Sequence, residues 1–370
     1  MSLPQAVDVL VVGLGPAGAS AARAAAAAGA RVLAVDKARV VGEPVQCAEF
    51  IPRPMGGCAR EPGVLVQRIT GMRTFLPSGH VEASAFPGLM VDRAAFDRTL
   101  ARAARAAGAT LATGTRLVAL DAAARDVLLL DAAGVRHAVR YGALVAADGP
   151  HSPVGAALGL PRLEVVWTRQ HTVPLLEPHA DTDIWLSDDF PGGYGWLFPK
   201  GTVANLGLGT DKRWQRDLRA PLERLHAALA AEGRVGREVL GRTGGAIPVG
   251  GLRRRLVEGA VLFAGDAAGL THPITGAGIP AAVVSGEAAG AAAAAWLGGE
   301  AGALEDYEED MRDRYGPTLA RAVRRRRELA CLWRTPAARR DAPLRRGWIA
   351  FPEYFDDTQD ETGPAAAICG

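Results

Sequence analysis

The sequence predicts an α/β fold into which an antiparallel β-sheet is inserted, followed by a helical C-terminal segment. Three observations predict it. The apolar run Val7–Val12 leads directly into the turn Gly13-Leu14-Gly15-Pro16-Ala17-Gly18 and an alanine-rich stretch. A second run–turn–helix pattern stands around Gly265. Between the two, from about residue 162, short strand-like runs alternate with glycine and proline turns. At 370 residues, two interlocked domains are expected.

The elements follow in order. Val7–Val12 and Arg31–Asp36 are continuous apolar runs rich in β-branched residues, the pattern of buried parallel strands. The helix Ala17–Ala28, closed by Gly29, joins them as a βαβ unit. A proline- and glycine-rich loop runs from about 40 to 63. Ala94–Ala107 is an amphipathic helix, Leu111–Leu120 and Asp126–Asp131 read as strands, and Ala143–Ala147 is a short buried strand ending at Asp148-Gly149. Arg162–Pro174, Thr182–Ser187, Tyr194–Phe198 and Val203–Gly209 form the inserted sheet. The helix Leu218–Ala231, the strand Ala260–Ala264 and the helix Ile279–Leu297 come next, and 301–370 is mostly helical. The expected division is 1–70, 90–160 and 250–300 for the nucleotide domain, 71–89 and 161–249 for the sheet domain, and 301–370 for the C-terminal segment.

Composition excludes several classes. With 42 basic and 40 acidic residues the net charge is +2, so nucleic acid is not an expected partner. Cys47, Cys58, Cys331 and Cys369 show no C-x-x-C spacing and no flanking histidines, which argues against a metal site or a disulfide scaffold. The apolar start lacks the basic flank of a signal peptide. Ile279–Leu297 is mostly alanine and carries Glu287, so it is a poor membrane span. A cytoplasmic protein is expected, with peripheral membrane contact as an option.

Two motifs carry chemistry. In the first, Gly13 permits the tight turn, Gly15 lets backbone approach a pyrophosphate, and Gly18 lets helix and strand pack closely. Unpaired N–H groups at the helix start then face the phosphates. Asp36, 18 residues beyond Gly18, is placed to accept hydrogen bonds from ribose hydroxyls. This is the mark of a Rossmann-like domain. In the second, Asp266 follows a buried strand, and the glycines up to Gly276 and Gly278 would let backbone approach a flat ring. The helix starting at Ile279 aims its positive end there, a device suited to the negative edge of a reduced flavin.

Together with Ala147-Asp148-Gly149, these motifs resemble the flavoprotein hydroxylase-like fold. In finer detail the chain is similar to the geranylgeranyl reductase family. The similarity rests on Pro44-Val45-Gln46-Cys47-Ala48-Glu49, on Pro191 to Lys200, and on Gly265 to Ile279, within roughly residues 5–300. It implies an FAD-binding domain, with contacts at Ala17, Asp36, Cys47, Ala48, Arg93, Leu117, Asp266, Gly278 and Ile279. Arg93 heads a helix and is placed to pair with pyrophosphate; a solvated arginine is the plain alternative. Cys47 is the implied catalytic residue, a thiol able to give up a proton as hydride reaches the other alkene carbon; a buried structural cysteine is its alternative. Phe50 replaces the glycine usual in the family at that position, and a ring there would narrow the pocket.

Tyr194, Trp196 and Phe198 share one face of a strand, a tunnel wall or a plain sheet core. No second dinucleotide fingerprint is present, so NAD(P)H or another reductant would dock transiently. The main expectation is reduction of isolated double bonds in a prenyl or other apolar substrate. The alternative is an FAD-dependent monooxygenase acting on an aromatic substrate, including a side chain of a partner protein during maturation of a protein-derived quinone cofactor. Arginines at 324–327, 339–340 and 345–346, interleaved with Trp333, Trp348, Phe351 and Phe355, offer either a solvated helix face or a docking surface for anionic lipid or an acidic protein.

Overall fold

The computed structural model describes residues 3–333 and 335–357. Its architecture is two β-sheets flanked by helices. In the first sheet, Ala6–Val12 lies between Arg136–Ala146 and Val32–Asp36, all parallel. Val261–Phe263 extends this sheet beyond Arg136–Ala146, and Thr110–Thr113 forms the other edge. The central strands are buried on both faces, which is why they read as unbroken apolar runs.

Two helices cover one side of this sheet, and small residues decide how close they come. A Cβ at Gly286 would lie 2.1 Å from the Ala17 carbonyl oxygen, and one at Gly290 would lie 2.2 Å from that of Ala21. The helices Pro16–Ala27 and Ile279–Leu297 are therefore in backbone contact and run in the same direction. The alanine richness of both has this packing as its structural reason.

The second sheet runs, in spatial order, Gly241–Thr243, Val165–Pro174, Val203–Thr210, Gly195–Lys200, Asp181–Trp185, Leu65–Phe75, Val81–Val91 and Phe50–Pro52. Its pairings are antiparallel except for Asp181–Trp185 against Leu65–Phe75, which is parallel. The sequence reading places 71–89 with the sheet but names no strands there; the hairpin Leu65–Phe75 and Val81–Val91 occupies that stretch, and Phe50–Pro52 pairs with it. Its outer positions Val81, Ala83, Ala85 and Pro87 are exposed, so the alternation there pairs apolar with polar on the wrong faces for a simple reading. The single strand expected over 111–120 is two, Thr110–Thr113 and Arg116–Asp121, separated by Gly114 with φ +66°. The strand expected over 143–147 is the end of a longer one, Arg136–Ala146.

The C-terminal segment is helical over Ala303–Ala330 and Asp341–Arg346. Of its arginines, Arg325 and Arg326 are buried inside the protein, while Arg324, Arg327, Arg339 and Arg340 are exposed. Arg325 is fully buried, bonded to the Tyr354 and Asp356 carbonyls and to Glu328. Arg326 is buried against Asp211 and the Gly192 carbonyl. Arg324, Arg339, Arg345 and Arg346 pair with Asp357, Asp188, Glu353 and Glu328. Trp333, Trp348 and Phe351 are buried beneath the second sheet, and only Phe355 of the interleaved rings is exposed. Among the described residues Cys47 and Cys58 are free. The expected helical content past 357, and Cys369, lie outside the described residues. Among the described residues no helix is long and apolar enough to cross a membrane.

Candidate active site

Both glycine motifs follow the C-terminal ends of parallel strands, where open α/β sheets place their ligands. They converge on one cavity of about 400 Å3. Gly15 and Ala17 line it from the first motif; Asp266, Gly276, Gly278 and Ile279 line it from the second. The helix packing sets their separation. Gly286, seven residues into its helix, meets Ala17, one residue into the other. The start of Ile279–Leu297 therefore projects six residues farther, about 9 Å at 1.5 Å per residue. Two helix N-termini thus face one cavity at staggered depths.

The three glycines of the first motif have distinct duties. Gly13 has φ +104°, and its Cβ would meet the Ala147 carbonyl oxygen at 2.2 Å. A Cβ on Gly18 would lie 1.8 Å from the Gly13 oxygen. A Cβ on Gly15 would meet nothing within 4 Å, yet Gly15 faces the cavity. Protein packing does not require a glycine at that position, whereas a ligand pressed to the backbone would. Asp36 accepts the N–H groups of Leu14 and Ala38, each at 2.7 Å, and so closes the turn; it is not part of the cavity lining. Leu117 sits on Arg116–Asp121, paired with Leu129 and packed on the nucleotide-side core, and is not part of the cavity lining.

One cation borders the cavity. Arg93 is a part-buried side chain, 14% exposed, paired with Asp97 at 3.0 Å. Burial works against its charge, but Asp97 and Cys47 outweigh burial and raise its pKa. Asp266 is part-buried at the cavity edge; burial raises its pKa against a hydrogen bond from Thr271.

Cys47 lies on the loop ahead of Phe50–Pro52, and several bonds fix it. The Glu49 N–H donates to Cys47 Sγ at 3.1 Å. Gln170 Nε2 donates to the Cys47 carbonyl at 3.1 Å, while Trp196 Nε1 donates to Gln170 Oε1 at 3.1 Å. Asn205 Nδ2 holds the Ala48 carbonyl at 3.1 Å. Lys200 Nζ reaches Glu49 at 2.7 Å. The loop is thereby tied to the second sheet.

That sheet offers the cavity an aromatic wall. Tyr194, just ahead of the strand, and Trp196 and Phe198 on it have ring centroids 5.6 and 6.5 Å apart. Phe50 stacks on Phe86 at 5.7 Å and meets Phe198 edge-on at 6.1 Å. Trp348 closes the other end, 4.9 Å from Tyr194. All six rings line the cavity. Gly88 makes room for Phe50, since a Cβ there would lie 2.2 Å from its ring. Tyr194 OH donates to the Thr275 carbonyl at 2.5 Å, which ties the wall to the second glycine motif. The structure therefore brings Phe50, Tyr194, Trp196 and Phe198 together with Cys47, Ala48 and Arg93, as the sequence reading grouped them. It adds Phe86, Trp348, Gln170, Glu49, Lys200 and Asn205. Glu49 and Lys200 stood inside quoted motifs; nothing local marks the others.

This arrangement fits FAD: a bare-backbone cradle at Gly15, a part-buried guanidinium, two helix N-termini, and an apolar wall opposite. No family model matches the chain. It is 32% identical over 323 residues to the digeranylgeranylglycerophospholipid reductase of Methanocaldococcus jannaschii, covering 83% of this chain and 81% of that one. The enzyme of the same description from Methanocella arvoryzae is 33% identical over 335 residues, covering 84% of each chain. The chain belongs to the geranylgeranyl reductase family. It is an FAD-dependent oxidoreductase. A geranylgeranyl bacteriochlorophyll reductase-like protein from Thermoplasma acidophilum shares the fold with a TM-score of 0.81 and 26% identity, over 89% of this chain and 88% of that one. Aklavinone-11 hydroxylase, solved with FAD and aklavinone, matches with a TM-score of 0.68 at 24% identity over 86% of this chain and 68% of that one. Its likeness concerns the fold.

Proposed function

We propose that the protein reduces isolated carbon–carbon double bonds in a prenyl chain, as the names of its family relatives indicate for them. The observation that carries the reading is that six aromatic rings, the glycine cradle and Cys47 line one cavity. An isolated alkene is a weak hydride acceptor, so a dry apolar pocket and a nearby proton source are needed. Bound FAD, when reduced, supplies the hydride. The chain supplies the rest. Gly15 and the start of Pro16–Ala27 take the pyrophosphate, with Arg93 as counter-charge. Asp266, Gly276, Gly278 and the start of Ile279–Leu297 border the ring system. Phe50, Tyr194, Trp196 and Phe198 align the chain and exclude water. The Cys47 thiol gives its proton to one alkene carbon while hydride reaches the other, so C=C becomes CH–CH and a thiolate remains. A proton from solvent restores the thiol. Electrons come from NAD(P)H docking transiently or from another reductant, since the chain has no second dinucleotide fingerprint.

The test is incubation of the FAD-loaded, chemically reduced protein with a geranylgeranylated lipid, followed by mass spectrometry. Mass gains of two hydrogens per double bond are expected. Unchanged lipid, or an added oxygen on an aromatic co-substrate, would overturn the reading.

A further inference from the structure

The carboxylate of Glu49 has an unusual setting. Its backbone is left-handed at φ +70°, a conformation that costs a residue with a side chain about 1 kcal/mol. Something must hold it there. Its side chain is 7% exposed and accepts from three donors on three elements. The Arg93 N–H, at the start of Arg93–Ala106, donates to Oε1 at 3.0 Å. Lys200 Nζ and Asn205 Nδ2, both from the second sheet, donate to Oε2 at 2.7 and 2.8 Å. The left-handed turn sends the Glu49 N–H back onto Cys47 Sγ.

We infer that Glu49, clamped by Lys200 and Asn205, is a positioning residue that aims the Cys47 thiol into the cavity. The inference deepens the proposed function, because it rests on Cys47 as the proton donor. A buried ion pair adds little net stability, since desolvation offsets most of the attraction. Its value here is geometric. Lys200 and Asn205 belong to the same sheet as the aromatic wall, and Gln170 bridges the Cys47 carbonyl to Trp196. Thiol and wall are thus fixed to one another, so an alkene lying on the rings meets the sulfur at a set height. The lysine ending the aromatic strand has a reason of its own: among the side chains that hold Glu49 it is the only cation.

The experiment uses FAD-loaded protein carrying Glu49→Gln, Lys200→Gln or Lys200→Arg. Two quantities are read: the rate of Cys47 alkylation by iodoacetamide at one neutral pH, followed by mass spectrometry, and kcat against KM on the prenyl lipid. Lys200→Gln is expected to slow alkylation about tenfold and lower kcat by a similar factor. KM and flavin content should stay unchanged, and Lys200→Arg should recover most of the loss. Glu49→Gln should do the same. If it fails to retain flavin, Lys200→Gln carries the test, because Asn205 and the Arg93 N–H still keep the loop in place while the ion pair that fixes the carboxylate is lost. Alkylation at the wild-type rate in Lys200→Gln would overturn the inference. Faster alkylation would also overturn it, since the pair would then only shield the thiol. Full turnover in Cys47→Ala would defeat the proton-donor reading instead, while the alkylation comparison would still report on the clamp.

Discussion

On the side of the parallel sheet, the cavity is walled by backbone: Gly15, Gly276 and Gly278 present no side chains, and two helices end there. On the side of the second sheet, it is walled by rings: Phe86, Phe50, Phe198, Trp196, Tyr194 and Trp348. Bare backbone offers N–H groups and close approach, which suits a phosphate-bearing cofactor. Rings offer apolar area and exclude water, which suits an unactivated hydrocarbon. Cys47 and Arg93 stand at the seam between the two. The contrast assigns cofactor binding to one wall and substrate selection to the other, so mutations on each wall should fail in different ways.

The largest effect is expected from Gly18→Val. Its Cβ would lie 1.8 Å from the Gly13 oxygen, and neither backbone can yield without breaking the turn. A loss of more than about 4 kcal/mol is expected, seen as absent cooperative unfolding in calorimetry. Gly15→Val is the informative partner. Its Cβ enters open space, so the apoprotein should melt like the wild type, yet bind FAD at least about tenfold more weakly. Equal FAD affinity would remove Gly15 from the cofactor wall.

Next comes the seam. Cys47→Ala should lower turnover by about a hundredfold or more, the range for a positioned acid, while FAD stays bound. Stopped-flow oxidation of the reduced enzyme by substrate measures it.

A smaller effect concerns the loop that carries the backbone wall. His272 Nδ1 accepts the N–H groups of Ile274 and Thr275, and burial lowers its pKa to about 4. The unfolded imidazole takes up its proton near pH 6.5. Between those values the unfolded state binds more protons, so stability falls as pH drops from 7 to 4 and levels off below. The loss is about 3 kcal/mol. His272→Asn should flatten this slope in denaturant titrations across that range, and an unchanged slope would show that other groups govern it.

The smallest effect is expected on the ring wall. Phe50→Leu should cost about 1 kcal/mol through loss of the Phe86 and Phe198 contacts, leave FAD affinity unchanged, and raise KM for the lipid. A change in FAD affinity instead would place Phe50 on the cofactor wall.

The same contrast explains what could be read from the chain. The backbone wall was legible because close approach demands glycine at fixed spacing beside a strand, as at Gly13, Gly15 and Gly18. The ring wall was legible where its members share one stretch of chain, Tyr194, Trp196 and Phe198, and at Phe50, which stands beside a motif of the family resemblance. Phe86 sits on a hairpin whose exposed face is apolar, so the usual alternation gave no sign of it. Trp348 reaches the cavity across 154 residues of chain from its neighbour Tyr194, and no local pattern encodes such a contact. Two arginines of the C-terminal segment could not be told from their solvated neighbours for the same reason. Arg325 and Arg326 are buried by carbonyls and carboxylates remote in sequence. A run of like charges looks solvated until its partners are known.

The central claim is that the two glycine motifs form a single cofactor cradle. Titration of apoprotein with FAD, followed by quenching of flavin fluorescence, tests it most directly when Gly15→Val and Asp266→Ala are run beside the wild type. The account predicts saturation at one FAD per chain, weakened by either substitution alone. Absence of saturable binding in the wild type, or unimpaired binding in both variants, would contradict it.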